Sequence, residues 1–336
     1  MKTLRAGVIG VGFFGEKHAK IISQLPNAEL VAVCDANPNR ARDVASALKC
    51  DHYSNFRELL QRDDIDAVAI VVPDDLHREV TLAAVAANKH ILLEKPMAVT
   101  KEDCDAILRA AKASPKKFMV AHIVRFDPRS IVAKELIQSG KIGEIVHVTS
   151  RRNSPILGAR HYAGHCELVT HSGVHDLDLV RWLVGSDYAT VYAKGRKVKL
   201  PEEGISMFDS ILALYEFENG VIYQMENSWI LPEKYPSTLD ARLQVVETKG
   251  VINIDVHNPG LGIYTDEQTH YPELLHWPEI DDRVVGHIRE EIMYFVDCII
   301  NDKPVPVTAE DGYKAAMAAI YTLDSIRENR VITIAQ

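Results

Sequence analysis

The sequence predicts an α/β domain built on a parallel sheet, followed by an α+β domain with a large, mostly antiparallel sheet that is open on one face. Three observations lead there. The length of 336 residues suits two domains rather than one. The first third alternates short, continuous apolar runs with amphipathic stretches, the pattern of strands buried on both faces between covering helices. After Gly143 the pattern changes to strand-like runs joined by short turns, closed by two helices. The expected boundary puts a first domain over 1–123 and a second over 124–336.

Taken in order, strands are expected over Leu4–Ile9, Leu30–Cys34, Ala67–Val72, His90–Leu93 and Phe118–Ala121. Helices fall between them over Phe14–Leu25, Asn39–Leu48, Phe56–Gln61, Leu76–Ala87 and Lys101–Ala113, followed by Ile131–Ser139, which Gly140 ends. In the second part, strands are expected over Ile145–Ser150, Ala189–Lys199, Ser210–Glu218, Val221–Trp229, Ala241–Thr248 and Val251–Val256. Asn219-Gly220 marks a tight hairpin turn that uses positive φ angles. Helical spacing of Ile288, Ile292, Phe295 and Ile299, and later of Ala316, Ile320 and Leu323, predicts closing helices over Val284–Ile300 and Ala309–Glu328.

The most informative motif is Gly10-Val11-Gly12-Phe13-Phe14-Gly15, placed between the first strand and the first helix. Gly10 permits the tight turn, Gly12 lets the backbone approach a pyrophosphate, and Gly15 lets helix and strand pack closely. The helix start at Phe13-Phe14 offers N–H groups and a positive dipole end to phosphates. Asp35, about twenty positions beyond Gly15, closes the second apolar run and suits the hydroxyls of an adenosine ribose. Its charge repels a 2′-phosphate, which favours NAD over NADP, although Arg40 partly compensates. Gly10–Gly15, Asp35, Pro73-Asp74 and Glu94-Lys95-Pro96 all follow strands, and ligands bind parallel sheets beyond their carboxyl ends.

Charge and composition exclude other classes. A net charge of −9 without a long basic run argues against nucleic acid or an anionic membrane surface as partner. No apolar run reaches the length of a membrane span. Five cysteines without a C-x-x-C pair fit reduced thiols in the cytoplasm. His161, His165, His171 and His175 crowd one region with Cys166 and Glu167 between, but no His-Glu-x-x-His and no second spaced pair is present, so no metal is expected.

Two constellations could carry chemistry. Lys95, just past the strand at Ile91-Leu92-Leu93, could hydrogen-bond a cofactor ribose and a substrate oxygen, and its charge would stabilise a developing alkoxide. The second lies at His171–Trp182. On an α-helix, His171, His175, Asp178 and Trp182 would fall within roughly 60° of one another. Such a face suits proton transfer, with His175 as base and Asp178 to orient it.

Together these residues resemble the Gfo/Idh/MocA family of NAD(P)-dependent oxidoreductases. The resemblance rests on Gly10–Gly15, Pro73 with His77, Glu94-Lys95-Pro96, Arg125-Phe126-Asp127-Pro128, Gly140–Ile145 and His175-Asp176-Leu177-Asp178. It implies a Rossmann domain, then a substrate-binding domain whose open sheet face mediates homodimers or homotetramers. It implies hydride transfer between NAD and a hydroxyl of a sugar or inositol-like polyol, with Lys95 and His175 catalytic and His171 or Asp178 in support. Inositol-dehydrogenase-like members carry aspartate four residues before the histidine, where this chain has His171. The resemblance adds Pro73, His77, Glu94 and Arg125 to the cofactor site and Arg125, Arg152, His161, Tyr162, Trp229 and Tyr235 to the substrate site. Two other outcomes are compatible with the same residues: elimination of a glycosidic group through transient oxidation, or a sensor that binds NAD or a sugar without turnover.

Overall fold

The computed structural model describes residues 3–164, 166–258 and 260–334. The chain forms two compact units, one of Met1–Ile123 with His276–Tyr313, the other of Val124–Leu275 with the chain from Lys314 onward.

In the first unit the elements run β1 (Leu4–Ile9), α1 (Phe13–Ser23), β2 (Ala28–Cys34), α2 (Pro38–Leu48), β3 (Asp51–Tyr53), α3 (Phe56–Leu60), β4 (Ala67–Ile70), α4 (His77–Ala86), β5 (His90–Glu94), α5 (Lys101–Ala113) and β6 (Phe118–Ala121). All six strands are parallel, in the order β3-β2-β1-β4-β5-β6. The order reverses between β1 and β4, and a crevice opens at the carboxyl ends of such a pair. The turns after β1, β2, β4 and β5 carry Gly10, Asp35, Asp74 and Lys95, so topology alone gathers them along one edge. Strand β3 was not expected. It has three residues, two of them exposed, and so shows no apolar run.

The segment His276–Tyr313 departs from the expected two-part division. It contains α10 (His287–Ile300), whose Ile288, Ile292, Phe295 and Ile299 are buried and which packs on α1 and β1. Val120 N–H donates to Val307 O, and Lys17 and Lys20 both pair with Glu279. Periodicity reveals an apolar stripe on α10 without revealing which sheet covers it.

The second unit holds α6 (Pro128–Gln138), β7 (Ile145–Pro155), α7 (Ile156–His161), α8 (Val174–Val184), β8 (Tyr188–Arg196), α9 (Lys199–Glu202), β9 (Ser210–Phe217), β10 (Ile222–Leu231), β11 (Asp240–Glu247) and β12 (Gly250–Asp255), and most of α11 (Ala309–Glu328). Its sheet runs β12-β11-β7-β10-β9-β8 and ends on a short strand, Ile332–Thr333. Only β7 and β10 are parallel. Strand β9 shows the expected alternation: Ile211, Ala213, Tyr215 and Phe217 are buried, while Leu212 and Leu214 on the other face are 54% and 51% exposed. At the Asn219-Gly220 turn only Gly220 has positive φ (+84°), and Phe217 O accepts from Gly220 N. That makes a bulged hairpin, with the expected positive φ at Gly220 but not at Asn219.

The helix predicted over His171–Trp182 is not continuous. Val169–Gly173 form a π-turn that leads into α8. Gly173 ends it where a Cβ would stand 3.0 Å from Asn227 Oδ1, so close packing on β10 accompanies the wider turn. A π-turn shifts the angular phase of residues before it, and such turns occur often at functional sites.

The position of α10 has a measurable consequence. Ile292→Ala is expected to cost about 2–5 kcal/mol. Hydrogen exchange should speed up in β1 and α1 of the first unit; an effect confined to the second unit's strands would contradict this packing.

Candidate active site

The glycine turn divides its work as the motif implies. A Cβ on Gly10, whose φ is +87°, would lie 2.2 Å from Val71 O, and one on Gly15 would lie 1.8 Å from Gly10 O. Both glycines are therefore needed by the protein's own packing. Gly12 has nothing within 4 Å of the Cβ position, so the space above it is open for a ligand. Asp35 is fixed from two sides: Oδ2 accepts from Val11 N (3.0 Å) and Oδ1 from Asn37 N (2.8 Å). Arg40 reaches Asp35 Oδ2 at 3.5 Å from an exposed position. Phe13 is exposed, and Phe14 packs edge-on against Trp277 (5.0 Å between centroids), an aromatic neighbour outside the sequence-based set. These residues fit a dinucleotide: an open glycine, a helix start and an oriented carboxylate at the end of β2.

At the end of β5, Lys95 is half-buried and its peptide to Pro96 is cis. Glu94 anchors this turn. Its Oε2 accepts from Lys95 N (3.1 Å), and its Oε1 meets Nε2 of His18, a fully buried residue of α1 (3.1 Å). Burial opposes the Glu94 charge, but the His18 hydrogen bond, the His18 charge and Lys95 outweigh it and hold the carboxyl below its ordinary value. Asp74 sits beside this group. Burial raises its pKa, against the charges of Lys95 and His77. Pro73 is exposed and its carbonyl starts the turn that leads to α4.

His77 corrects the expected cofactor role. It is fully buried, and both ring nitrogens face backbone carbonyls, Nδ1 to Pro96 O (2.8 Å) and Nε2 to Val72 O (3.1 Å). Neither nitrogen is left for a ligand.

In the second unit, His171 and His175 are both half-buried. The Tyr162 ring lies 4.1 Å from that of His171, and His161, exposed, meets Tyr162 edge-on at 4.8 Å. The Trp229 ring stands 6.5 Å from that of His171. It is 2% exposed and its indole N–H donates to Phe208 O (2.6 Å), so it serves as an apolar wall rather than a donor. His165 lies outside the described residues. Tyr235 belongs to a different grouping, near His257 (5.5 Å) and Asp240, with its hydroxyl pKa raised by burial and by Asp240.

Three charged residues have roles other than those expected. Arg125 is buried and forks onto Asp178, with Nε to Oδ2 at 2.7 Å and a terminal nitrogen to Oδ1 at 2.5 Å. Asp178 is thus the arginine's anchor, where it was expected to orient His175. Arg152, expected at the substrate, is buried. It binds Asp176 Oδ1 through Nε (2.9 Å) and a terminal nitrogen (2.7 Å), while Ser150 Oγ donates to Oδ2 (3.1 Å) and meets Tyr223 Oη (2.6 Å). A buried guanidinium needs an acid to accept its N–H groups, and sequence alone does not show which acid supplies it. Asp176, Ser150 and Tyr223 were missed. The only signal was Asp176 itself, flanked by histidine and leucine.

The fold and the first unit's edge define a nucleotide-dependent oxidoreductase. Residues 4–122 match the family model described as "Oxidoreductase family, NAD-binding Rossmann fold", and residues 134–334 match its "C-terminal alpha/beta domain". The chain belongs to the Gfo/Idh/MocA oxidoreductase family. Among curated relatives, it is 29% identical to the uncharacterized oxidoreductase YrbE of Bacillus subtilis, over 95% of this chain and 93% of that one. It is 30% identical to the inositol 2-dehydrogenase of Burkholderia cenocepacia, over 94% and 92%. The structure is similar to scyllo-inositol dehydrogenase from Lactobacillus casei with bound NAD(H) and scyllo-inositol, with a TM-score of 0.87, 25% identity and full coverage of both chains. It is also similar to myo-inositol 2-dehydrogenase from Lactobacillus plantarum, with a TM-score of 0.88, 25% identity, and coverage of 99% of this chain and 100% of that one.

The two glycines give a paired prediction. Gly12→Ala should fold as the wild type yet bind NAD about tenfold or more weakly, a loss of about 1.4 kcal/mol. Gly15→Ala should lose about 1–3 kcal/mol of stability before any ligand is added. Thermal melts with and without NAD separate the two, and equal melting points for both apo variants would refute the division.

Proposed function

We propose that the protein is an NAD-dependent dehydrogenase acting on a hydroxyl of an inositol-like cyclic polyol or a sugar. The observation that carries the reading is Lys95, a half-buried ammonium at the carboxyl edge of β5, next to the order reversal of a nucleotide-binding sheet and held there by Glu94. NAD, when bound, supplies the hydride acceptor. The chain supplies the rest. Gly10–Gly15 and the start of α1 take the pyrophosphate, and Asp35 takes the adenosine ribose. Lys95 binds the substrate oxygen and stabilises its negative charge as the proton leaves. His175 accepts that proton at a ring nitrogen, since imidazole exchanges protons near neutral pH. His171, its ring tilted against that of Tyr162, stands where the inositol-dehydrogenase-like members carry aspartate. It relays a proton without contributing a fixed charge. The dehydrogenase names of the relatives favour net oxidation over glycosidic elimination or sensing.

We also infer that the open sheet face docks a second copy, because Leu212, Leu214, Ile222 and Val251 are each about half exposed there. Burial pushes the thiols of Cys34 and Cys104 up to about 12, which keeps them unreactive and suits a cytoplasmic protein.

Two tests follow. Myo-inositol, scyllo-inositol, sugars and sugar acids should be screened for NADH formation, with NAD and NADP in parallel; NAD-dependent oxidation of a polyol is expected, and no reduction with any of them would overturn the reading. In the active pair, Lys95→Met and His175→Ala should each lower kcat about 10²-fold or more while NAD affinity changes only a few-fold. Light scattering of Leu212→Glu should show a smaller assembly than the wild type, and an unchanged mass would remove the sheet face as the interface.

A further inference from the structure

Trp277 precedes α10, in the segment that the first unit recruits from late in the chain. The backbone on both sides of it is fixed. His276 O accepts from Ile288 N of α10 (3.0 Å), and Pro278 O accepts from Val285 N (2.9 Å). A proline after Trp277 also disfavours helical backbone there. Next in the chain, the short strands Glu279–Ile280 and Arg283–Val284 pair with each other and lie against α1. Lys17 and Lys20 pair with Glu279, and Gln24 Nε2 donates to Asp282 O (2.8 Å). Spaced at i, i+3 and i+7, these three residues share one side of α1, so the segment is clasped along that helix.

The clasp presents an indole to the start of α1. The Trp277 ring lies 5.0 Å from that of Phe14 and 6.4 Å from that of Phe13, and the two phenylalanine rings are 5.1 Å apart. All three pairs meet edge to face, the arrangement that aromatic quadrupoles favour. Phe13 and Phe14 open the helix whose first N–H groups have no partner within it. Phe13 is 62% exposed, Trp277 is half-buried, and the space at Gly12 just before them is open. Lys17 Nζ stands 4.8 Å from the Phe13 ring, which adds a positive charge near the same helix start.

Aromatic rings beside backbone donors exclude water from them, and the attraction of those donors for an anion strengthens as water leaves. The part of the indole still in water adds apolar area for a ligand to cover. We infer that Trp277 is a cofactor-binding residue: with Phe13 and Phe14 it walls the place where α1 takes the pyrophosphate of NAD, and the clasp on α1 holds it there. The inference goes beyond the dehydrogenase reading and concerns the cofactor alone, so it depends neither on which alcohol is oxidised nor on Lys95.

The test uses the full-length protein and NAD without a second substrate. Adding NAD should change the tryptophan emission of the wild type. Trp277→Phe keeps a ring at the wall and leaves Trp182 and Trp229 in place. Its emission response should fall several-fold while its NAD affinity stays within a few-fold of the wild type; an unchanged response would overturn the inference. By calorimetry, Trp277→Ala should bind NAD about tenfold more weakly. A lowered melting point of the apo protein with wild-type NAD affinity would assign the indole to packing of the segment and overturn its role at the cofactor. The ratio of the two dissociation constants should widen with added salt, since charges reached by water are screened more strongly. A ratio independent of salt would overturn water exclusion as the means. If Trp277→Ala does not fold, the emission of Trp277→Phe decides the matter. A wild type that bound NAD but oxidised no polyol would overturn only the dehydrogenase reading, and one that bound no NAD would overturn both.

Discussion

A parallel sheet stops supplying hydrogen bonds where its strands end, and the chemistry of the first unit lies just past that point. The last rungs are Ile9–Ile70 and Ile70–Leu93, and the turns that follow carry Gly10, Asp74 and Lys95. Each turn must be held by something other than the ladder. Gly10 is held by close approach to Val71, Val11 by Asp35, Lys95 by Glu94, and the turns after β4 and β5 by His77. The fixed points are side chains buried behind the edge, His18 and His77 among them, while Gly12 is left open in front. This division is what a rigid binding edge requires, since groups in contact with ligand cannot also be tied up in the fold.

The second unit meets the same requirement with ion pairs. Arg125 pairs with Asp178 and Arg152 with Asp176, and all four are buried. A buried pair need not add stability over an apolar filling, but removing one partner costs about 3–5 kcal/mol because a charge is left unmatched. Both acids lie on α8, which starts at the π-turn after His171 and carries His175 in its first turn. The pairs therefore fix the rotation of α8 about its axis, and with it the direction in which His175 leaves the helix. Sequence reading gave Asp178 to His175 because i, i+3 neighbours share a helix face. The structure gives it to an arginine more than fifty residues away in sequence, by a bidentate contact that a single histidine contact does not match.

What could be read from the sequence followed a simple rule: local patterns were legible, partners were not. Strands β1 and β6 and helices α5 and α11 fall where the apolar spacing placed them, since burial on both faces or along a stripe is written into consecutive residues. The short β3, the bulge at Gly220 and the return of α10 to the first unit are settled by what covers them, which no local window contains. The site divides the same way. Gly10, Gly12, Gly15 and Asp35 were legible because the backbone itself is the functional element. Arg125, Arg152, His77 and Trp229 were placed on ligands by resemblance, and each is buried with its polar atoms bound to the protein.

That last group points to a more general reason why resemblance misplaces charged residues. A motif records that a residue type is required at a position, and a residue that holds a catalytic group in place is required as strictly as the group itself. Burial separates the two. Lys95, His171, His175 and Tyr162 are only partly covered and can meet a ligand, whereas His77, Arg125 and Arg152 have lost their water and would pay a desolvation penalty without their protein partners. A cation or imidazole of the second kind belongs to the frame. Its effect reaches the reaction only through the group it holds, so replacing it should alter turnover through geometry, while replacing one of the first kind removes a proton carrier or a charge outright.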